Sequence, residues 1–220
     1  MSYVDAFFNR EADQIQVVER REDGKRHFTE YPVRYTFYYG DQRGKYKSIY
    51  GDPLNKISCK NTKDFRKELA INKNKALFES DINPIFQCLS TNYLNHDAPK
   101  LNVAFFDIET DFDPERGFAD PADPFMPITA ISVHLQWLNT LVTLAVPPKG
   151  LTMEQATEQC KDFPNTHLFS DEADMLKTFL DLIDDADIIS GWNSEGYDIP
   201  YCVNRVARVL SKNDTRRFCL

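Results

Sequence analysis

Residues 101–110, LNVAFFDIET, decide how this chain reads. Four apolar residues, Val103 to Phe106, run without alternation into Asp107, Ile108 and Glu109. Such a run reads as a strand buried on both faces. Asp107 and Glu109 stand two apart, so on a strand both leave the same face near its C-terminal end. Two carboxylates sharing a small volume repel each other unless a proton or a divalent cation lies between them. The plainer alternative is an acid at a strand end that faces water or caps a turn. The apolar run favours acids that emerge into a cleft at the end of the sheet.

The sequence that follows completes a layered pattern. Residues 127–137 and 140–146 read as two strands joined around Leu138-Asn139, close enough for an antiparallel hairpin. A helix comes next, capped by Ser170 or Asp171, with Met175, Leu176, Phe179, Leu180 and Ile183 as its buried stripe. Residues 186–192 form a fourth strand. It turns through Asn193-Ser194-Glu195-Gly196 into a helix starting near Ile199-Pro200, with Cys202, Val203, Val206, Val209 and Leu210 along one side. The order is strand, strand, strand, helix, strand, helix, a mixed α/β arrangement.

Within GWNSEGYDIPY, residues 191–201, Asp198 follows the fourth strand by one short turn. As the residue ahead of a helix it can be a simple N-cap. Equally, it can converge with Asp107 and Glu109, and three carboxylates are the hard-oxygen environment that Mg²⁺ or Mn²⁺ takes in phosphoryl chemistry. Asn193 offers an amide and Tyr197 a ring for a nucleotide; their structural alternatives are turn former and core aromatic.

Residues 1–100 are less legible. Residues 31–39 alternate aromatic and polar side chains as one strand, and residues 61–78 read as a helical region with Thr62 as a possible cap and Phe65, Leu69, Leu77 and Phe78 on its apolar side. The polar segment 92–100 precedes an abrupt change in hydrophobicity and charge, which places a domain boundary near residue 100. Residues 1–100 carry 17 basic and 14 acidic residues, net +3, whereas 101–220 carry 9 and 20, net −11, within a total of −8. An acidic segment repels nucleic acid unless its carboxylates hold cations. With 42% apolar residues the chain of 220 is a folded one. Neither a membrane-spanning stretch nor a secretory signal is evident. Five scattered cysteines, with no CxxC, suggest neither a disulfide framework nor a structural zinc site, and point to a reducing cytosol.

FDIET with Asp107 and Glu109, followed some ninety residues later by GWNSEGYDIPY, resembles the first two exonuclease motifs of family B DNA polymerases, especially those of T4-like bacteriophages. GKYKSIYGDP and FESDINP also look like that family's N-terminal domain. The resemblance implies an N-terminal α+β domain over 1–100 and, over 101–220, a ribonuclease-H-like 3′-to-5′ exonuclease domain that is incomplete at its C-terminus. It implies that Asp107 is shared by two ions, Mg²⁺ or Mn²⁺, that Glu109 is a ligand and orients the attacking water, and that Asp198 supports the second ion. Asn193 and Tyr197 would hold the terminal nucleotides. Expected partners are single-stranded or primer-template DNA and other replisome proteins, inside an infected bacterial host and with no membrane. The family's third exonuclease motif and its polymerase motifs are not found, so the expectation is either a second polypeptide carrying the rest of the polymerase or a truncated reading frame, with the isolated chain inactive. A different reading is a non-catalytic module that binds single-stranded nucleic acid through the basic and aromatic residues of 1–100.

Overall fold

The computed structural model describes residues 2–219, which divide into two compact units on either side of a boundary between Lys100 and Leu101. In the first unit, β1 (Ser2–Asn9), β2 (Gln14–Arg20) and β3 (Arg26–Pro32) form one antiparallel sheet. A second sheet has the order β5-β6-β4-β7, from β4 (Tyr35–Gly40), β5 (Tyr46–Lys47), β6 (Pro53–Cys59) and β7 (Leu77–Phe78). Helices α1 (Thr62–Asn72) and α2 (Pro84–Asn92) complete the unit.

Two expectations for this unit are corrected. The single strand over 31–39 is two strands in different sheets. The ladder of β2 ends at Pro32, and the chain crosses through Val33, whose N–H turns aside to the carbonyl of Asp13 at 2.9 Å. The aromatic alternation was real, but buried Val33 and Tyr35 belong to a core shared by both sheets. The helix expected over 61–78 stops at Asn72, where Asn72 and Asn74 are weak helix formers, and Leu77–Phe78 pairs with Tyr38 and Tyr39 as β7. Its cap is Asn61, not Thr62, and accepts the N–H of Asp64 at 2.7 Å.

The second unit is built on a five-stranded sheet of order β11-β10-β9-β8-β12. Strands β8 (Val103–Thr110), β9 (Ile128–Leu135) and β10 (Thr140–Ala145) are antiparallel neighbours, and β9 and β10 form the expected hairpin. Asn139 turns it with a φ of 49°, a conformation Asn tolerates better than most residues. Helix α3 (Met153–Gln159) and strand β11 (Thr166–Leu168), parallel to β10, are additions the sequence pattern did not disclose. Helix α4 (Glu172–Ile183), capped by Asp171, buries Met175, Leu176, Phe179, Leu180 and Ile183, the stripe expected of it. Strand β12 (Ile188–Ser190) lies parallel to β8, and α5 (Asp198–Val209) follows.

Strand β8 is not buried on both faces. Ala104, Phe106 and Ile108 enter the core, whereas Phe105, Asp107 and Glu109 are exposed. The core holds Phe106 against Phe179 of α4, with ring centroids 5.3 Å apart. Phe179 is fully buried, so Phe179→Ala should cost about 3–5 kcal/mol. Both tryptophans, Trp137 and Trp192, lie in this unit, so the loss should register as a lower urea midpoint in tryptophan fluorescence.

Candidate active site

The alternation of β8 puts Asp107 and Glu109 on one face, with Ser132 and Ala130 of β9 opposite them. Both acids reach water. Asp198 is different: it is buried, at 5% exposure. Strand β12 ends with Ser190 opposite Phe105, which leaves the outer edge of β8 without a strand partner beyond that point. The N–H of Ile108, between the two acids, donates to Asp198 Oδ1 at 3.3 Å. Asp198 therefore supplies the acceptor that β12 would have supplied had it continued.

The connection from β12 to α5 is shaped for this. A Cβ on Gly191 would lie 2.3 Å from the carbonyl oxygen of Phe106, so only glycine lets the chain pass so close to β8. Asn193 then adopts a φ of 53°, and its carbonyl accepts the N–H groups of Gly196 and Tyr197 at 2.9 and 3.1 Å. Asn193 is the turn former and is exposed. Tyr197, half-buried, packs against the core and lies 5.4 Å from the ring of Tyr201. Tyr197 occupies the N-cap position of α5 without a side-chain capping bond, and Asp198 is the first helical residue. The Asp198 carboxylate therefore reaches across to β8 rather than capping its own helix. The sequence reading placed Gly191 inside a strand over 186–192, whereas β12 stops at Ser190; a glycine within a strand pattern was a usable signal of close backbone approach.

Burial pushes the Asp198 carboxyl above its ordinary value. Its backbone N–H partners oppose that rise, and the negative charge of nearby Asp107 adds to it. Asp107 and Asp198 thus feel each other across the edge of β8. Asp107 also borders an open depression of about 550 Å³ with Phe105, His134, Leu141 and Trp192, and Trp192 is 92% exposed. Beyond Glu109, the exposed rings of Phe112 and Phe118 meet edge to face at 5.0 Å.

Among the described residues, no group of three or more His, Cys, Asp and Glu side chains is arranged to hold a metal ion. The donor chemistry nonetheless fits a small hard cation, because Mg²⁺ is commonly held by one or two carboxylates together with water and substrate phosphate. Asp107 and Glu109 are such a pair.

The second unit is thus a mixed sheet with two acids on one exposed strand face, beside a helix whose first residue is a buried Asp. The chain belongs to DNA polymerase family B as its exonuclease domain, whose model matches residues 53–219. It is 28% identical over 230 residues to the DNA-directed DNA polymerase of Enterobacteria phage T4, covering 92% of this chain and 25% of that protein. It is 26% identical over 200 residues to the DNA-directed DNA polymerase of Escherichia phage RB69, covering 80% of this chain and 22% of that protein. The chain thus spans about a quarter of the length of these relatives. Among the described residues, no helix is long and apolar enough to cross a membrane.

A carboxyl with a raised folded pKa favours folding while protonated. That contribution is complete below its unfolded value and is lost as pH rises through the folded one. In the presence of EDTA, Asp198→Asn should therefore raise the melting temperature at pH 7 relative to the parent chain, and the advantage should shrink as pH falls toward 3.8. Thermal scans of the two proteins across that range measure it.

Proposed function

We propose that this chain is the proofreading part of a family B polymerase and removes nucleotides from 3′ ends of single-stranded DNA, with Asp107, Glu109 and Asp198 as its acidic site. The observation that carries the proposal is the exposed Asp107–Glu109 pair, with Asp198 fastened to the N–H between them. Asp107 and Glu109 would hold two divalent ions together with the substrate phosphate, and Asp198 would support the second. When bound, such ions supply a water of lowered pKa and a charge that stabilises the leaving oxygen. The chain's own contribution is placement. The sheet fixes the two acids at a two-residue repeat, and Glu109 is close enough to Asp107 to orient a water beside it. Tyr197 and the exposed Phe112, Phe118 and Trp192 offer rings on which bases of a single strand can stack. Asn193, exposed at the turn, offers its amide to a sugar or phosphate oxygen.

Full activity, we further propose, needs the polymerase region that the relatives carry beyond the quarter matched here. The exposed face of the sheet supports this. Phe105, Leu141, Ile188 and Trp192 are each at least 42% exposed, and three of them border the depression beside Asp107. An apolar surface next to charged groups marks an interaction site, and the remaining polymerase chain is the occupant that would both cover it and exclude water from the acids.

The test is release of nucleoside monophosphate from 3′-labelled single-stranded DNA, with the chain alone and with the remainder of its polymerase. Weak activity alone and strong activity on addition is the expected result; rapid digestion by the chain alone would refute the need for a partner. In the active assembly, Asp107→Ala and Glu109→Ala should each lower proofreading by about 10²-fold or more while nucleotide incorporation continues. Parallel loss of both activities would mean that these acids support the fold. DNA binding that depends on salt, ignores chelator and is unaccompanied by hydrolysis would favour the non-catalytic module instead.

A further inference from the structure

Helix α5 carries a second set of polar side chains that the acidic site does not use. Arg205, two turns beyond Asp198, donates from Nε and Nη2 to the two oxygens of Glu172 at 2.8 and 2.6 Å. Its remaining Nη1 donates to the carbonyls of Pro124 and Phe125 at 3.0 and 3.4 Å. Glu172, the first residue of α4, also accepts the N–H of Ile128, the first residue of β9, at 2.8 Å. Both side chains are nearly buried, at 11% and 13% exposure. Neighbouring residues on the same helix follow the same line. Tyr201 donates to the carbonyl of Met126 at 2.7 Å and Asn204 to that of Pro121 at 2.8 Å.

One ion pair therefore joins four elements: α4, α5, the segment between Glu109 and β9, and β9 itself. Strand β9 in turn fixes β8, because Ser132 stands opposite Asp107 and Ala130 opposite Glu109. From Arg205 the path toward Asp198 is a rigid helix of two turns, about 10 Å long. The path toward Asp107 and Glu109 is a hydrogen-bonded strand pair. A small displacement of α5 along its axis would move Asp198 away from the Ile108 N–H, and the guanidinium fork, together with the Tyr201 and Asn204 hydrogen bonds beside it, resists that displacement. Only Arg offers five donors in a fixed plane, enough for a bidentate carboxylate and two carbonyls at once.

We propose that Arg205 is a positioning residue of the acidic site, which through Glu172 and the backbone of residues 121–126 sets where α5 delivers Asp198 against β8. The proposal rests on the nuclease reading and adds to it a determinant that touches neither substrate nor ion. Titration of the full chain with Mn²⁺ alone, followed by electron paramagnetic resonance, reads the site without relying on hydrolysis. The parent chain should bind the ion; failure to bind would overturn the nuclease reading and this proposal with it. Given binding by the parent, Arg205→Lys, which keeps the charge and loses the fork, should weaken Mn²⁺ affinity about 10-fold. Glu172→Gln should act in the same direction, and it serves as the test if Arg205→Lys does not fold. Lys161→Ala, just past α3, removes only an exposed ion pair with Glu158 and should leave the affinity unchanged. The comparison that separates positioning from stability is Leu144→Ala, a change at a buried core residue of β10, a strand that carries neither the site acids nor any residue of this network, and it should lower the melting temperature without lowering Mn²⁺ affinity. Mn²⁺ affinity that falls equally in Leu144→Ala, or is unchanged in folded Arg205→Lys or Glu172→Gln, would overturn the assignment.

Discussion

The hydrogen bond from the Ile108 N–H to Asp198 is the contact on which the second unit's functional end depends. A strand edge left open where β12 stops needs an acceptor, and an unsatisfied buried N–H costs about 1–3 kcal/mol. A carboxylate meets that need but must itself leave water, and burial raises its pKa in consequence. Gly191, the left-handed turn at Asn193 and the helix start at Asp198 are the local means by which the chain makes the contact. The same contact brings a third acid to the edge of a strand that already presents two.

Charge is distributed to match. The acidic excess of residues 101–220 is spent partly on structure, since Glu172 is paired with Arg205, and Asp181 and Asp184 with Arg217. Asp107 and Glu109, by contrast, face water on the open side of the sheet. Under the proposed reading, these two acids, on one face of a rigid strand, are the ligands that a divalent cation would take.

Much of this was legible in the sequence, for identifiable reasons. The buried stripe of α4 and the hairpin of β9 and β10 were readable because each rests on local periodicity and a single turn. Strand β8 was recognised but its burial was misjudged: Phe105 and Phe106 look alike in sequence, and only the one-sided placement of α4 distinguishes them. In the first unit, residues 31–39 read as one strand because alternation persists across a change of sheet that only Val33 and its bond to Asp13 reveal. The short elements α3 and β11 carry too few residues to establish a period. The acids Asp107 and Glu109 were singled out by their two-residue spacing after an apolar run, together with the family resemblance, and a convergence with Asp198 was expected; the Ile108 N–H as the group that Asp198 meets joins residues ninety apart and leaves no local trace. The Arg205–Glu172 pair is of the same long-range kind.

The central claim is that Asp107 and Glu109, backed by Asp198, form a divalent-metal site. Anomalous diffraction from crystals of the chain grown with Mn²⁺ and a nucleoside monophosphate tests it most directly. The account predicts an anomalous peak within coordination distance of both Asp107 and Glu109, with the nucleotide phosphate beside it. Well-ordered carboxylates with no peak between them, or Mn²⁺ bound only elsewhere on the molecule, would contradict it.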